Sequence, residues 1–129
     1  MKENEFVLLL SKERSYLVRV CDRKFNTDFG IVDLSELKRK KFGSKIKTHK
    51  GFEFLVVKPS IADFLNKKIR KIPQAIRPKD SALILAYTGL SPDAKVVEAG
   101  TGSAWLTIFL ANHCCKGKIY SYEIREDFY

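Results

Sequence analysis

Residues 95–111, Lys95-Val-Val-Glu-Ala-Gly-Thr-Gly-Ser-Ala-Trp-Leu-Thr-Ile-Phe-Leu-Ala111, decide how this chain is read. Lys95 to Glu98 is a short apolar run ending on an acid. Ala99-Gly-Thr-Gly-Ser103 follows as a glycine loop, and Ala104 to Ala111 is apolar at helical spacing. Further on, Lys118-Ile-Tyr-Ser-Tyr122 is a second strand pattern closed by another acid, Glu123. Strand, glycine loop, helix, strand and terminal carboxylate together predict the opening half of a nucleotide-cofactor domain.

The chemistry expected of this unit follows from its parts. A loop from a buried strand into a helix N-terminus carries backbone N–H groups without helical partners, and these favour an anionic group. Gly100 and Gly102 permit a tight turn and close ligand approach. Glu98 at the strand end suits a cationic amine, and Glu123 at the next strand end suits ribose hydroxyls. Amine, carboxylate and ribose describe S-adenosylmethionine better than a dinucleotide. The dinucleotide fingerprint wants G-x-G-x-x-G, and here Trp105 stands at its last position.

Outward from this stretch, residues 80–129 hold two strand and two helix patterns. A parallel sheet needs partner strands and cover on both faces, and roughly 50 residues bury too little surface for comfortable stability. The expectation is therefore a longer protein cut short, or a sheet completed by another chain. Asp80 is expected to cap a helix over Ser81–Tyr87, with Gly89 ending it. Ser91-Pro-Asp93 is a turn into the strand at Lys95. Lys67 to Lys79, basic and with Pro73 and Pro78, is read as a connector.

Residues 1–66 are strand-rich. Phe6–Leu10, a polar turn at Ser11–Arg14 and the alternating run Ser15–Cys21 predict a hairpin. Tyr16, Val18 and Val20 fall on one side of that run, Leu17 and Arg19 on the other. Ile31–Leu34 is a further strand, and Lys45–Thr48 with Phe52–Val57 forms a second hairpin around His49-Lys-Gly51. Short strands at this spacing predict a small barrel. Ser60 and Asp63 form a capping-box pattern for a helix to about Asn66.

The chain has 129 residues, with 24 Lys and Arg against 15 Asp and Glu. Between Leu37 and Lys79 stand 14 basic residues against two acids, Glu53 and Asp63. Such concentration predicts a phosphate-facing surface. For Lys38-Arg-Lys-Lys41, RNA contact and plain solvation are equally compatible with the sequence. Cys21, Cys114 and Cys115 give no disulfide framework, and no ligand spacing predicts a metal. Cys114 and Cys115 read as small core residues, His49 as a solvated turn residue and His113 as a partner of a helix C-terminus. No apolar run approaches the roughly 18 residues of a membrane span, and the acidic N-terminus lacks a signal-peptide pattern. A cytoplasmic location is the simplest reading.

Val96 to Ala111 resembles motif I of the tRNA (adenine-N1)-methyltransferases, the TrmI family. Tyr122-Glu-Ile-Arg-Glu-Asp-Phe128 is similar to the segment that follows it there. Gln74-Ala-Ile-Arg-Pro-Lys-Asp80 resembles that family's Gln-Ile-Ile-Tyr-Pro-Lys-Asp segment. The strand-rich half, with Phe25-x-Thr27-x-x-Gly30, is similar to its small N-terminal barrel. Motif I is shared with protein isoaspartate methyltransferases. The Pro-Lys-Asp segment and the leading barrel are more specific.

The resemblance implies an α+β chain: a small N-terminal β-barrel (1–66), a basic connector (67–79) and the truncated first half of a Rossmann-like class I methyltransferase domain (80–129). It implies methyl transfer from S-adenosylmethionine to N1 of an adenine in the tRNA T-loop, by a homotetramer. By position, Gln74, Glu98, Gly100, Thr101, Gly102, Ser103, Ala104 and Glu123 would contact the cofactor. Lys67, Lys68, Arg70, Lys71, Arg77 and Lys79 would face RNA. The family's catalytic aspartate belongs to a strand beyond Tyr129, so no catalytic residue is assigned and the isolated chain is expected to be inactive. The family usually has glycine at Ala104 and tyrosine at Arg77. The alternatives are a non-catalytic RNA-binding or assembly module and a protein methyltransferase of the isoaspartate type.

Overall fold

The computed structural model describes residues 1–69 and 75–126. The chain divides into two compact units, Met1–Asp63 and Phe64–Tyr129.

The first unit begins with strand β1 (Phe6–Leu10), turns at Ser11–Arg14 and returns as β2 (Ser15–Arg19). Ser11 Oγ fixes the turn, accepting from Arg14 N–H at 3.0 Å. Strands β3 (Lys24–Thr27) and β4 (Gly30–Asp33) form a second hairpin, and β5 (Lys45–Lys47) with β6 (Glu53–Val57) a third. The sheet order β2-β1-β6-β5 places β1 and β6 centrally, with β3-β4 as a separate two-stranded sheet. β1 is apolar without interruption, as expected of a central strand, and Val7, Leu8 and Leu9 are all buried. Its register sets Val7 opposite Val18, and Leu9 between Tyr16 and Val56. These residues join Val20, Val32, Leu34, Leu37, Ile46 and Phe54 in one core. An aromatic cluster extends it: Phe29 stacks on Phe52 at 4.1 Å, and Tyr16 meets Phe54 edge-on at 5.6 Å.

Hairpin β3-β4 was not predicted as such, and His49 proves more than a solvated turn residue. Its backbone N–H donates to Ile31 O, and its ring Nδ1 accepts from Ile31 N–H, both at 2.8 Å. The imidazole thereby ties β4 to the β5-β6 turn. Gly30 makes this approach possible. It sits at φ 118°, and a Cβ there would come within 3.1 Å of the His49 ring. Leu17 corrects the predicted alternation in β2, since it is buried along with Val18 on the opposite face. The basic run at Lys38 starts inside a helix. Leu34–Arg39 is a 3-10 helix capped by Asp33, and Lys38 Nζ pairs with Asp22 at 2.6 Å and Glu3 at 2.8 Å.

Helix α1 (Ile61–Lys68) runs across the division between the units. Its capping box forms as read: Ser60 N–H and Oγ both donate to Asp63 Oδ2, at 2.8 and 2.6 Å. It extends two residues past the expected end, so Lys67 and Lys68 lie in its last turn.

The second unit contains helix α2 (Pro78–Thr88), strand β7 (Lys95–Ala99), helix α3 (Trp105–His113) and strand β8 (Lys118–Tyr122). α2 starts three residues earlier than predicted. Proline suits the first helical position because its missing N–H would be unpaired there anyway. Arg77, not Asp80, is therefore the N-cap, and it makes no side-chain capping bond. Gly89 ends the helix in the left-handed region at φ 62°, donating to Leu85 O. His113 spans from the end of α3 to Leu90 O, its Nε2 lying 2.8 Å away. Cys114 is buried as read, whereas Cys115 is exposed.

Strands β7 and β8 pair in parallel with Val96 opposite Ile119 and Glu98 opposite Ser121. Because side chains alternate along a strand, these four share one face, and α3 reaches it through Thr107, which bonds Glu98. The other face carries Val97 at 73% and Tyr122 at 62% exposure, with Tyr120. Gly117 fixes the approach to β8: a Cβ there would fall 1.9 Å from Ala94 O, so only glycine fits.

Candidate functional site

Between β7 and α3 the backbone leaves both strand and helix geometry. Gly100 has φ 94°, Gly102 φ 52° and Ala104 φ 59°. The first two are glycines, which adopt this region without clash. Ala104 is not, and its conformation carries about 1–2 kcal/mol of strain. It is the N-cap of α3 with no capping side chain, and the loop holds it there through its N–H bond to Thr101 O at 2.8 Å.

The loop is fastened to the end of β8. Gly100 N–H and Thr101 N–H both donate to Tyr122 O, at 2.7 and 3.1 Å. Gly102 N–H donates to Glu123 Oε2 at 2.8 Å. Glu123 Oε1 accepts from the N–H groups of Ile124 and Arg125. These bonds, that from Gly102 first, hold the Glu123 carboxyl below the usual carboxylate range. The expected row of unpaired amides is thus largely occupied from within, because the loop pairs its own N–H groups with Thr101 O, Tyr122 O and Glu123. The first intrahelical bond of α3 runs from Ile108 N–H to Ala104 O, so the amides ahead of Ile108 in the helix have no helical acceptor.

Glu98 lies beneath the loop, only 9% exposed. Its Oε2 accepts from two hydroxyls, those of Thr107 in α3 and Ser121 in β8, the latter at 2.6 Å. Ser121 Oγ lies 2.6 Å from Thr101 Oγ1 in the loop. Glu98, Thr101, Gly102 and Glu123 thus come together around the strand ends, and Ser103 and Ala104 complete the turn. Gln74, Arg70 and Lys71 lie outside the described residues. Among the remaining RNA candidates, Lys67 and Lys68 are exposed on α1, and Arg77 and Lys79 are exposed at the start of α2.

Thr107 and Ser121 were missed by sequence reasoning. The available signal was a polar residue at an inward position: Ser121 interrupts an apolar strand directly across from an acid. Reading it required the parallel register. Among the described residues no group of three His, Cys, Asp or Glu could hold a metal, and no helix is long and apolar enough to cross a membrane.

A parallel strand pair linked through a left-handed glycine loop and helix α3, with a buried acid under the loop and a second acid closing it, defines the class: an α+β chain with the fold of S-adenosylmethionine-dependent methyltransferases. Solved structures agree. A SAM-dependent O-methyltransferase from Thermotoga maritima matches 99% of the chain and 49% of its own length, with TM-score 0.88 and 31% identity. The tRNA (m1A58) methyltransferase TrmI from Aquifex aeolicus matches 99% of the chain and 49% of its own length, with TM-score 0.79 and 28% identity. No protein-family model matches the chain.

Sequence relatives narrow the class. The tRNA (adenine(57)-N(1)/adenine(58)-N(1))-methyltransferase TrmI of Methanocaldococcus jannaschii is 38% identical over 123 residues, covering 95% of this chain and 42% of the relative. The tRNA (adenine(58)-N(1))-methyltransferase TrmI of Thermus thermophilus is 34% identical over 116 residues, covering 88% of this chain and 45% of the relative. The chain is a relative of the TrmI tRNA (adenine-N1)-methyltransferases along nearly its whole length. It spans less than half the length of these curated relatives.

Proposed function

We propose that this chain supplies the methyl-donor site and an RNA-contacting surface of an S-adenosylmethionine-dependent tRNA (adenine-N1)-methyltransferase acting on a T-loop adenine. The observation that carries the reading is the Gly102–Glu123 closure above a buried Glu98. That arrangement sets two carboxylates on either side of one loop. In this reading Glu98 takes the donor's amine, Glu123 its ribose hydroxyls, and the start of α3 its carboxylate. Gly100, Thr101, Gly102, Ser103 and Ala104 form the wall, with Gln74 as a further contact. The bound donor supplies the activated methyl group, and these residues orient it and exclude water.

The finer architecture belongs to the same reading. Six strands around one core, with His49 bridging the two sheets, support a small barrel at residues 1–66. A connector at 67–79 and the opening of a Rossmann-like sheet at 80–129 complete it. The exposed apolar face of β7-β8 supports self-association, with a homotetramer as the expected assembly and the cytoplasm as its location. RNA contact is assigned to Arg77 and Lys79 on α2 and Lys67 and Lys68 on α1, with Arg70 and Lys71. Arginine at position 77 can stack on a base and pair with phosphate. Lys38, Lys45 and Lys47 are each paired with a nearby carboxylate, which offsets part of their charge toward RNA.

Calorimetry with S-adenosylmethionine and salt-titrated tRNA binding test the reading. Donor binding weakened by tenfold or more in Glu98→Ala, about 1.4 kcal/mol at least, together with tRNA affinity falling steeply with salt, is the expected result. Salt-sensitive tRNA binding with no donor heat would select a non-catalytic RNA module instead.

A further inference from the structure

We infer that Ser121, seconded by Thr107, is a positioning residue for Glu98, and that it couples the acid's orientation to closure of the glycine loop. The inference deepens the methyl-donor reading and rests on it.

Proton direction carries the argument. A serine hydroxyl has one proton to give, and Ser121 gives it to Glu98 Oε2 at 2.6 Å. Its contact with Thr101 Oγ1, also 2.6 Å, therefore runs the other way, with Thr101 donating to Ser121. Thr107 donates to the same Oε2 from α3. Three hydroxyls from three elements thus send their protons toward one carboxylate oxygen. Each of these hydroxyl protons finds an acceptor. Oε2 is filled by two donors, while Oε1 makes no hydrogen bond among the described residues.

The consequence is geometric. Two donors from β8 and α3 pin one oxygen, so the carboxylate plane cannot rotate and Oε1 keeps a fixed direction for a cation. Thr101 belongs to the loop fastened by Tyr122 O and Glu123. If the loop opens, Thr101 leaves Ser121 and the chain of donors loses its outer member. Orientation of the acid and closure of the loop are thereby linked through one serine.

Calorimetry with two probes separates this role from simple structural support. S-Adenosylhomocysteine carries the amine that Glu98 would bind; 5′-methylthioadenosine keeps the nucleoside and lacks that amine. The expected result for Ser121→Ala is about tenfold weaker binding of S-adenosylhomocysteine, with 5′-methylthioadenosine changed less than about twofold. Ser121→Thr restores the affinity, and adding Ser121→Ala to Glu98→Gln weakens binding no further. Should Ser121→Ala fail to fold, Thr107→Val removes the other donor at similar volume, and the same selective loss is expected. Equal losses for both probes, or full additivity with Glu98→Gln, would overturn the positioning role. If the unaltered chain binds neither probe, the methyl-donor reading itself fails, which is a distinguishable outcome.

Discussion

Ala104 stands where the backbone bends left-handed, at φ 59°, and an L side chain there is strained. Glycine would relieve that strain but would also loosen the unfolded chain, which offsets part of the gain. Ala104→Gly is therefore expected to raise stability by about 0.5–1 kcal/mol, read as an upward shift of the thermal midpoint. Unchanged or lower stability would show that the loop has adapted to alanine. Glu123 predicts a pH dependence. Its folded carboxyl is held below the ordinary value by Gly102 N–H and neighbouring amides. Its contribution is complete above the unfolded value of about 4.3 and is lost as pH falls through the lower folded value. Glu123→Gln should therefore flatten the acid limb of the stability curve in that window without reversing its sign. Asp33, Glu53 and Asp93, held low chiefly by Ser35, Lys45 and Ser91, leave a residual acid limb in the variant.

Elements show where local chemistry and function diverge. α2 opens at Pro78 with Arg77 as an N-cap that makes no side-chain bond. Aspartate at a cap accepts from the first-turn amides and suits the positive end of the helix dipole. Arg77→Asp is expected to stabilise the helix by about 0.5–1 kcal/mol while weakening tRNA binding and lowering its salt slope by about one. Denaturant melts and salt-titrated binding measure the two effects separately. A loss of stability would place Arg77 in an unrecognised structural contact, and unchanged tRNA affinity would remove it from the RNA surface. On the loop, β7 and β8 cooperate in a way neither strand reveals alone. Their parallel register brings Ser121 opposite Glu98, and that pairing converts an acid under a glycine loop into an oriented one.

Across the whole molecule, apolar burial is unequally divided. The first unit concentrates ten buried apolar side chains in one cluster. Among the described residues of the second, the deeply buried apolar side chains are Leu65, Trp105, Leu110 and Cys114. Trp105 also leaves its buried indole N–H without an acceptor among the described residues, an unfavourable feature of that core. Hydrophobic burial is the main favourable contribution to folding, so unequal burial predicts unequal stability. Two unfolding transitions are expected, with amides of β7, α3 and β8 exchanging hydrogen faster than those of β1 and β6. A single transition with uniform protection would contradict this. S-Adenosylhomocysteine should raise only the lower transition, since a ligand stabilises the state that binds it.

The sequence by itself determined the order of elements around the loop, the β1-β2 and β5-β6 hairpins, the Ser60–Asp63 cap and the ending of α2 at Gly89. All of these are local patterns, fixed by side-chain period, turn residues and caps within a few positions of one another. Tertiary structure alone decided that Gly117 must press against Ala94, that Gly30 makes room for His49, and that Ser121 and Thr107 grip Glu98. It also decided that Lys38 is paired with Asp22 and Glu3. Each of these contacts joins residues well separated along the chain. Their partners are set by strand register and packing geometry, which no local pattern contains.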